Sequence, residues 1–376
     1  MEDKQPNQIL SSLSPTTYKT DILDNNLSVV VGDEKQVNFY PRVKLKKWDN
    51  EVNFSVGVVK DETKIDTFEV KDNKVIWKQG DKEAHFYPIE NDKFEFEVIL
   101  KEKPQTNKVE LTIKTKDLDF FYQPFLTEEE KLKKEIDRPE NIEGSYAVYH
   151  KSKSNNEYKT GKAFHIYRPR ITDSEGKWAW GEINIDVERE ILTITIPQSI
   201  LDNGVYPLIV DPTFGYASVG GTSTAISNAY PYVHRYTPSE LGTITSISSY
   251  HRANSTKGIT DKEMRHAIYS NNDTGTYGTA KDPLAYASSS QIINENSSPQ
   301  WYTSSVSYTL TSTNPVWLAF WANEGGYLSR YFDTVSNFIE GHFTSGTLWT
   351  WPSNSTTWEI ESRYSIYATY TAGGAS

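Results

Sequence analysis

Lys93-Phe-Glu-Phe-Glu-Val-Ile-Leu100 decides the fold class. Phe94, Phe96, Val98 and Leu100 alternate with Lys93, Glu95, Glu97 and Ile99, so one face is apolar and the other mainly charged. That period of two marks a half-buried antiparallel strand. Val109, Leu111 and Ile113 repeat it against Lys108, Glu110, Thr112 and Lys114. Shorter signals of the same kind lie at 27–31, 52–59, 74–78 and 84–87, which gives about eight strands before residue 125.

One helix is expected among them. Thr127-Glu-Glu-Glu130 is a capping box in which the threonine hydroxyl satisfies a free amide of the first turn, with acidic residues at the positive end. Leu132 and Ile136 share a face and Pro139 stops the helix, so 127–136 reads as a clip over a sheet edge. A second group of strands follows at 145–149, 161–169, 178–180 and 191–196. Pro197 and Gly204 then bracket a single helical turn.

Asn203-Gly-Val-Tyr-Pro-Leu-Ile-Val-Asp-Pro-Thr-Phe-Gly-Tyr216 joins two differently composed halves. Pro207 and Pro212 restrict the residues before them to extended geometry, so the stretch reads as a last strand and a stiff step onward. Roughly 70 of the 89 charged side chains (39 basic plus 50 acidic) precede Phe214, whereas Ser, Thr, Asn, Tyr and Trp dominate after it. Beyond the step, strands are expected at 243–252, 264–270, 306–310, 316–321 and 363–370. Val316-Trp-Leu-Ala-Phe-Trp321 is continuous enough to be buried on both faces.

The expected fold is therefore all-β, with two or three jelly-roll-like β-sandwich domains and one short helix. Its parts would be a polar N-terminal arm at 1–25, a charged β domain at 26–212, and a Ser/Thr/Tyr/Trp-rich jelly roll at 213–376. The charged domain divides into 26–125 and 140–212, linked by the helix at 127–136.

Composition narrows the function. A net charge of −11 argues against nucleic acid and anionic membrane as partners, and no apolar run is long enough to span a bilayer. The polar start, Met1-Glu-Asp-Lys-Gln-Pro, contains no apolar core of a secretory leader. The absence of cysteine excludes disulfides, thiolate metal sites and thiol catalysis. A surface suited to work outside cells, on a chain without a visible export signal, fits a virus particle, made in the host cytoplasm and operating outside; the alternative is the mature form of an exported protein whose signal has been removed.

Candidate sites are few. His150, His165, Arg168, Arg170, Asp173 and Glu175 form the densest polar cluster, but Asp173-Ser-Glu-Gly-Lys is an ordinary turn and a structural role is favoured. Acidic pairs for glycoside hydrolysis are too numerous to choose among, and no Gly-x-Ser-x-Gly, His-Glu-x-x-His or phosphate-loop pattern occurs. Asn271, Asn272 and Asp273, or Asp173 with Glu175, supply oxygen atoms but do not match a calcium loop. No metal or cofactor is expected.

Tryptophan is the more informative residue. Six of ten lie in the second half, and Leu348-Trp-Thr-Trp-Pro-Ser-Asn-Ser-Thr-Thr-Trp358 sets three in a loop-like context. Exposed tryptophan beside hydroxyl and amide groups holds sugar rings, so Trp349, Trp351 and Trp358 are the glycan-binding candidates; the alternative is that Trp349 and Trp351, which share a strand face, fill the core, to which Trp301, Trp317 and Trp321 are assigned.

Val205-Tyr-Pro-Leu-Ile-Val-Asp-Pro-Thr213, preceded by Leu192-Thr-Ile-Thr-Ile-Pro197, resembles the Tyr-Pro-x-x-Ile-Asp-Pro-Thr segment of poorly characterised exported and phage-encoded β-rich proteins. The second half is similar to a jelly-roll module of phage tail and surface proteins, through Ala267-Ile-Tyr-Ser-Asn-Asn272, Asp282-Pro-Leu-Ala285, Trp301, Val316-Trp-Leu-Ala319 and Ser365-Ile-Tyr-Ala-Thr-Tyr370. The resemblance implies a non-enzymatic structural protein of a tailed-bacteriophage virion, in a capsid decoration, head fibre or tail. Its partners would be other virion proteins, copies of itself and a host surface glycan. Two alternatives remain open: a soluble or cell-surface carbohydrate-binding protein, and a glycan-degrading enzyme.

Overall fold

The computed structural model describes residues 10–372 except 23–26, 90–92, 131–135, 155–157, 216–218, 227–229, 239–240, 254–261, 273–277, 295–297, 324–327, 336–339, 344–349 and 359–361. The protein is all-β, with several antiparallel sheets and, among the described residues, two short helices. Its residues gather into two compact units: 1–120, 140–151 and 163–216 in the first, and 121–139, 152–162 and 217–376 in the second. The division is thus not one cut near residue 213. Two segments of the charged half belong to the second unit, and the chain passes between units after residues 120, 139, 151, 162 and 216.

In the first unit an eight-stranded sheet runs in the order Ser11–Ser14, Thr17–Ile22, Leu27–Val31, Arg42–Lys47, Val52–Val58, Lys108–Lys116, Ile191–Thr195, Glu182–Asp186. It packs against a larger sheet centred on Lys93–Leu100, and Phe54 of one meets Phe164 of the other at 5.8 Å. The alternation in Lys93–Leu100 is realised: Phe94, Phe96, Val98 and Leu100 are almost wholly buried. Burying each such side chain contributes about 1.5–3 kcal/mol, so these four anchor the core.

Within the expected polar arm, residues 11–22 extend this sheet instead. Ser11–Ser14 and Thr17–Ile22 form a hairpin, and Tyr18 pairs with Val31 and Thr20 with Val29. Thr17 and Thr20 are buried there, which a hydropathy pattern does not reveal. The capping box does form: Glu130 N–H donates to Thr127 Oγ1 at 3.2 Å and Thr127 N–H to Glu130 Oε2 at 3.0 Å. The helix does not reach Ile136, however, because Ile136–Asp137 pairs as a strand with Thr224 and Ser223; Leu132 lies outside the described residues.

The joining stretch is built into the middle of the larger sheet. Leu208–Asp211 pairs with Val98–Leu100 on one side and Arg170–Thr172 on the other. Thr213–Gly215 then pairs with Lys93–Glu95 and with His165–Ile166. Just before it, the helix Gln198–Asn203 ends at Gly204, whose φ of −71° is ordinary. Glycine is needed for space: a Cβ there would sit 2.5 Å from the Ile200 carbonyl oxygen.

In the second unit two seven-stranded sheets face each other. One holds Gly242–Ala253, Gln300–Thr309, Leu328–Thr334 and Ile366–Ala372; the other holds Lys262–Asn272, Val316–Ala322 and Tyr232–Tyr236. Val316–Ala322 is buried throughout, as its sequence predicts. Three polar ties hold the two segments borrowed from the charged half. The Gln123 amide exchanges hydrogen bonds with the backbone of Thr334, both at 2.9 Å, as a neighbouring strand would. Arg138 donates to Thr222 Oγ1 at 2.8 Å, and Lys162 Nζ lies 2.8 Å from Asp333 Oδ2 with both side chains at 0% exposure.

Candidate functional site

Strand periodicity in the second unit separates two faces of one sheet. Ile247, Tyr302, Leu328 and Ile366 point to the core. Their neighbours in opposite phase, Tyr250, Trp301, Tyr331 and Tyr367, therefore stand together on the outer face, each half-buried. Tyr250 meets Trp301 at 5.3 Å and 71°, and Tyr331 at 5.1 Å and 85°. Trp301 meets Tyr367 at 5.0 Å and 72°. Successive edge-to-face contacts lock the four rings into a fixed relief with apolar surfaces still partly open.

Polar groups border this relief. Tyr250 donates its hydroxyl to the Pro299 carbonyl at 2.9 Å, and burial, then the nearby Tyr331, raises its pKa. Thr303 and Ser305 are exposed on the same face, and Thr303 shares a 2.8 Å hydrogen bond with Ser248. No charged residue occurs in the sequence between Glu295 and Glu324. The chemistry on offer is ring stacking plus neutral hydrogen bonding, which suits the apolar face and hydroxyl edge of a sugar.

This is not where the sequence placed its candidates. Trp351 is only 8% exposed and sits in a core cluster with Tyr269, Trp317 and Trp321, its ring 5.4 Å from that of Trp321. Its faces are covered by protein, so it is no platform for a sugar. Trp349 lies outside the described residues, and Trp358 is placed only as backbone, opposite Glu340. Trp317 and Trp321 fill the core as expected, whereas Trp301, expected beside them, is on the outer face. The phase of Gln300–Thr309 carried that signal: Tyr302, Ser304 and Val306 alternate inward, which turns Trp301 out.

The polar cluster of the first unit is structural. His165 is fully buried and bonds Ser145 Oγ at 2.7 Å through Nε2. The Asp173 carboxylate accepts from the amides of Glu175, Lys177 and Val205, closing the turn. His150 contacts Glu51 at 3.3 Å, far along the sequence from the others. Arg168 lies over the ring of Trp180 and Arg170 over that of Trp178, and the two tryptophans meet edge-on at 5.4 Å.

A row of titratable groups that the sequence did not single out crosses the polar face of the larger sheet. Tyr87 donates to Glu97 at 2.7 Å, His85 lies between Glu83 and Glu97, and Thr213 Oγ1 reaches both oxygens of Glu95 at 3.1 Å. Asp211 stands beside Glu95, and its pKa is pushed up to about 10 by burial first and then by that carboxylate.

A second buried network lies in the core of the second unit. Ser249 Oγ bridges His266 and His251, each at 2.7 Å, and His266 continues to Ser304 at 2.8 Å. All four are buried, and burial pushes both histidines down to about 3, so they are neutral structural hydrogen-bonders. Asn271, considered for calcium, accepts from Trp317 Nε1 at 2.9 Å, and no group of three metal-ligating side chains occurs among the described residues. No helix among them is long and apolar enough to cross a membrane.

Compared with known proteins, the sequence matches no family model and no curated protein.

Proposed function

We propose that the chain is a non-enzymatic structural protein of a tailed-bacteriophage virion, in a capsid decoration, head fibre or tail, made in the host cytoplasm and working outside it. The observation that carries this reading is the placement of Leu208–Thr213. The segment that bears the phage resemblance is laterally hydrogen-bonded strand in the sheet interior, not a loose linker. A part that must hold its shape in a particle is well served by such a segment, since load along it is shared with neighbouring strands. Its partners are other virion proteins and copies of itself. Immunogold labelling of intact particles with antibody to this chain tests the reading: gold confined to one structure supports it, and unlabelled particles from a lysate rich in the chain overturn it.

The outer aromatic face favours a second reading, a carbohydrate-binding protein, which is also how a virion protein would contact a host glycan. Trp301 and Tyr250 with Thr303 would hold a neutral sugar. A glycan array decides it. Trp301→Ala should abolish reproducible hits while leaving the circular dichroism spectrum unchanged; hits that survive this change would dismiss the assigned face.

A further inference from the structure

Every sheet edge carries unpaired backbone groups that a second chain could complete, and proteins blunt such edges with charge, proline or brevity. Most edges here follow that rule. Glu182–Asp186 and Thr67–Lys71 carry charges, Thr279–Tyr286 carries Lys281, Asp282 and Pro283, and Ser11–Ser14, Trp178–Trp180 and Thr356–Trp358 are only three or four residues long. Ile366–Ala372 is uncharged, but side-chain hydroxyls of Tyr236 and Thr245 occupy its carbonyls at Ile366 and Thr369.

Gln300–Thr309 is the exception. It is ten residues long, has no charge and no proline, and is the last strand of its sheet, paired only with Gly242–Ala253 among the described residues. Its single edge device is a bulge that sets Val306 and Ser307 together opposite Thr245. The exposed positions Thr303, Ser305, Ser307 and Thr309 carry hydroxyls that both donate and accept, so the strand is complementary to itself. In a chain of net charge −11, a stretch uncharged from 296 to 323 is also where two copies approach with least repulsion.

We propose that two copies of this chain associate by antiparallel pairing of their Gln300–Thr309 edges, centred on Thr303–Ser305, across a two-fold axis perpendicular to the sheet. Such an interface is isologous and closes at the dimer. It keeps both outer faces on one side, so the two aromatic reliefs become parts of one surface and a repeated ligand would be held at two points. The pairing concerns the purified chain alone, so its failure leaves the virion reading standing.

The native absence of cysteine makes the test direct. In antiparallel pairing, identical positions meet only at the axis. Single variants Gln300→Cys, Thr303→Cys, Ser305→Cys and Thr309→Cys are oxidised mildly and the covalent dimer is quantified. The expected result is a maximum at Thr303 or Ser305 that falls away on both sides. In parallel, sedimentation of the full chain should show a dimer whose dissociation constant rises at least about tenfold in Thr303→Lys/Ser305→Lys, since like charges then face each other. A monomer throughout, a dimer indifferent to the lysine pair, or cross-linking equal at all four positions overturns the proposal. If the lysine variant fails to fold, the cysteine profile decides alone.

Discussion

The carboxyl of Asp211 stands beside that of Glu95, which favours its neutral form. Burial, Glu95 and then Glu97 push the Asp211 pKa up to about 10, against a smaller opposing effect of Arg170, so the acid stays protonated at neutral pH. A carboxyl whose pKa is raised by folding contributes stability that is complete below the ordinary carboxylate range, about 3.9, and is lost as pH rises toward the folded value. Asp211→Asn keeps a hydrogen-bond donor for Glu95 without the titration. Urea midpoints measured across pH should fall from mildly acid to alkaline in the parent and stay flatter in the variant, which should be the more stable at about pH 9. Equal slopes would mean that Asp211 is ionised in the folded protein.

The second unit should respond to acid in the opposite sense. His251 and His266 are held neutral with pKa values of about 3, chiefly by burial. Folding lowers these values, so the stability they contribute is present above the ordinary histidine range and lost as pH falls from about 6.5 toward 3. His266→Gln offers Ser249 and Ser304 hydrogen bonds that do not titrate. Its unfolding midpoint should change less than the parent's between neutral and mildly acid pH; an identical decline would contradict the neutral assignment.

Lys162 and Asp333 show how a polar contact fastens a borrowed segment. Asp333 also accepts from the Gly221 amide at 2.7 Å, and Lys162 donates to the Val219 carbonyl at 3.0 Å. Removing one partner leaves a buried charge uncompensated, so Lys162→Met should destabilise by about 3–5 kcal/mol in chemical denaturation. Lys162→Met with Asp333→Leu should recover much of that loss. A single variant as stable as the parent would show that the pair is hydrated in solution.

Two glycines separate crowding from backbone strain. Gly204 has an ordinary φ but no room, whereas Gly176 has φ +83° and nothing within 4 Å of a built Cβ. Gly204→Ala should cost about 1–3 kcal/mol through overpacking against Ile200. Gly176→Ala should cost about 1–2 kcal/mol through its left-handed backbone alone. Thermal melts of both variants, with crystal structures showing whether the helix Gln198–Asn203 shifts only in the first, check the distinction.

What was legible in the sequence was whatever obeyed hydrophobic alternation. Lys93–Leu100, Lys108–Lys116 and Val316–Ala322 fold as their patterns dictate because apolar burial dominates them. The edge hairpin at 11–22 escaped notice because its buried positions are the polar residues Thr17 and Thr20; Thr17 is satisfied locally, its Oγ1 bonding Ser14 Oγ at 2.6 Å. Segments 121–139 and 152–162 were attributed to the charged half because composition follows neighbours in sequence. Gln123, Arg138 and Lys162 instead take partners far along the chain. The core reading of Trp301 and the sugar-binding reading of Trp351 failed for a related reason. Loop-like composition around Trp351 says nothing of the core it enters, and an apolar Trp301 is core or platform according to one step of register.

The proposed place in a virion is tested most directly by quantitative mass spectrometry of gradient-purified particles. The chain should co-purify with intact particles at a fixed ratio to the major capsid protein, unchanged through repeated banding and high-salt washing. A chain that is abundant in the lysate but depleted step by step from the particles would contradict the assignment.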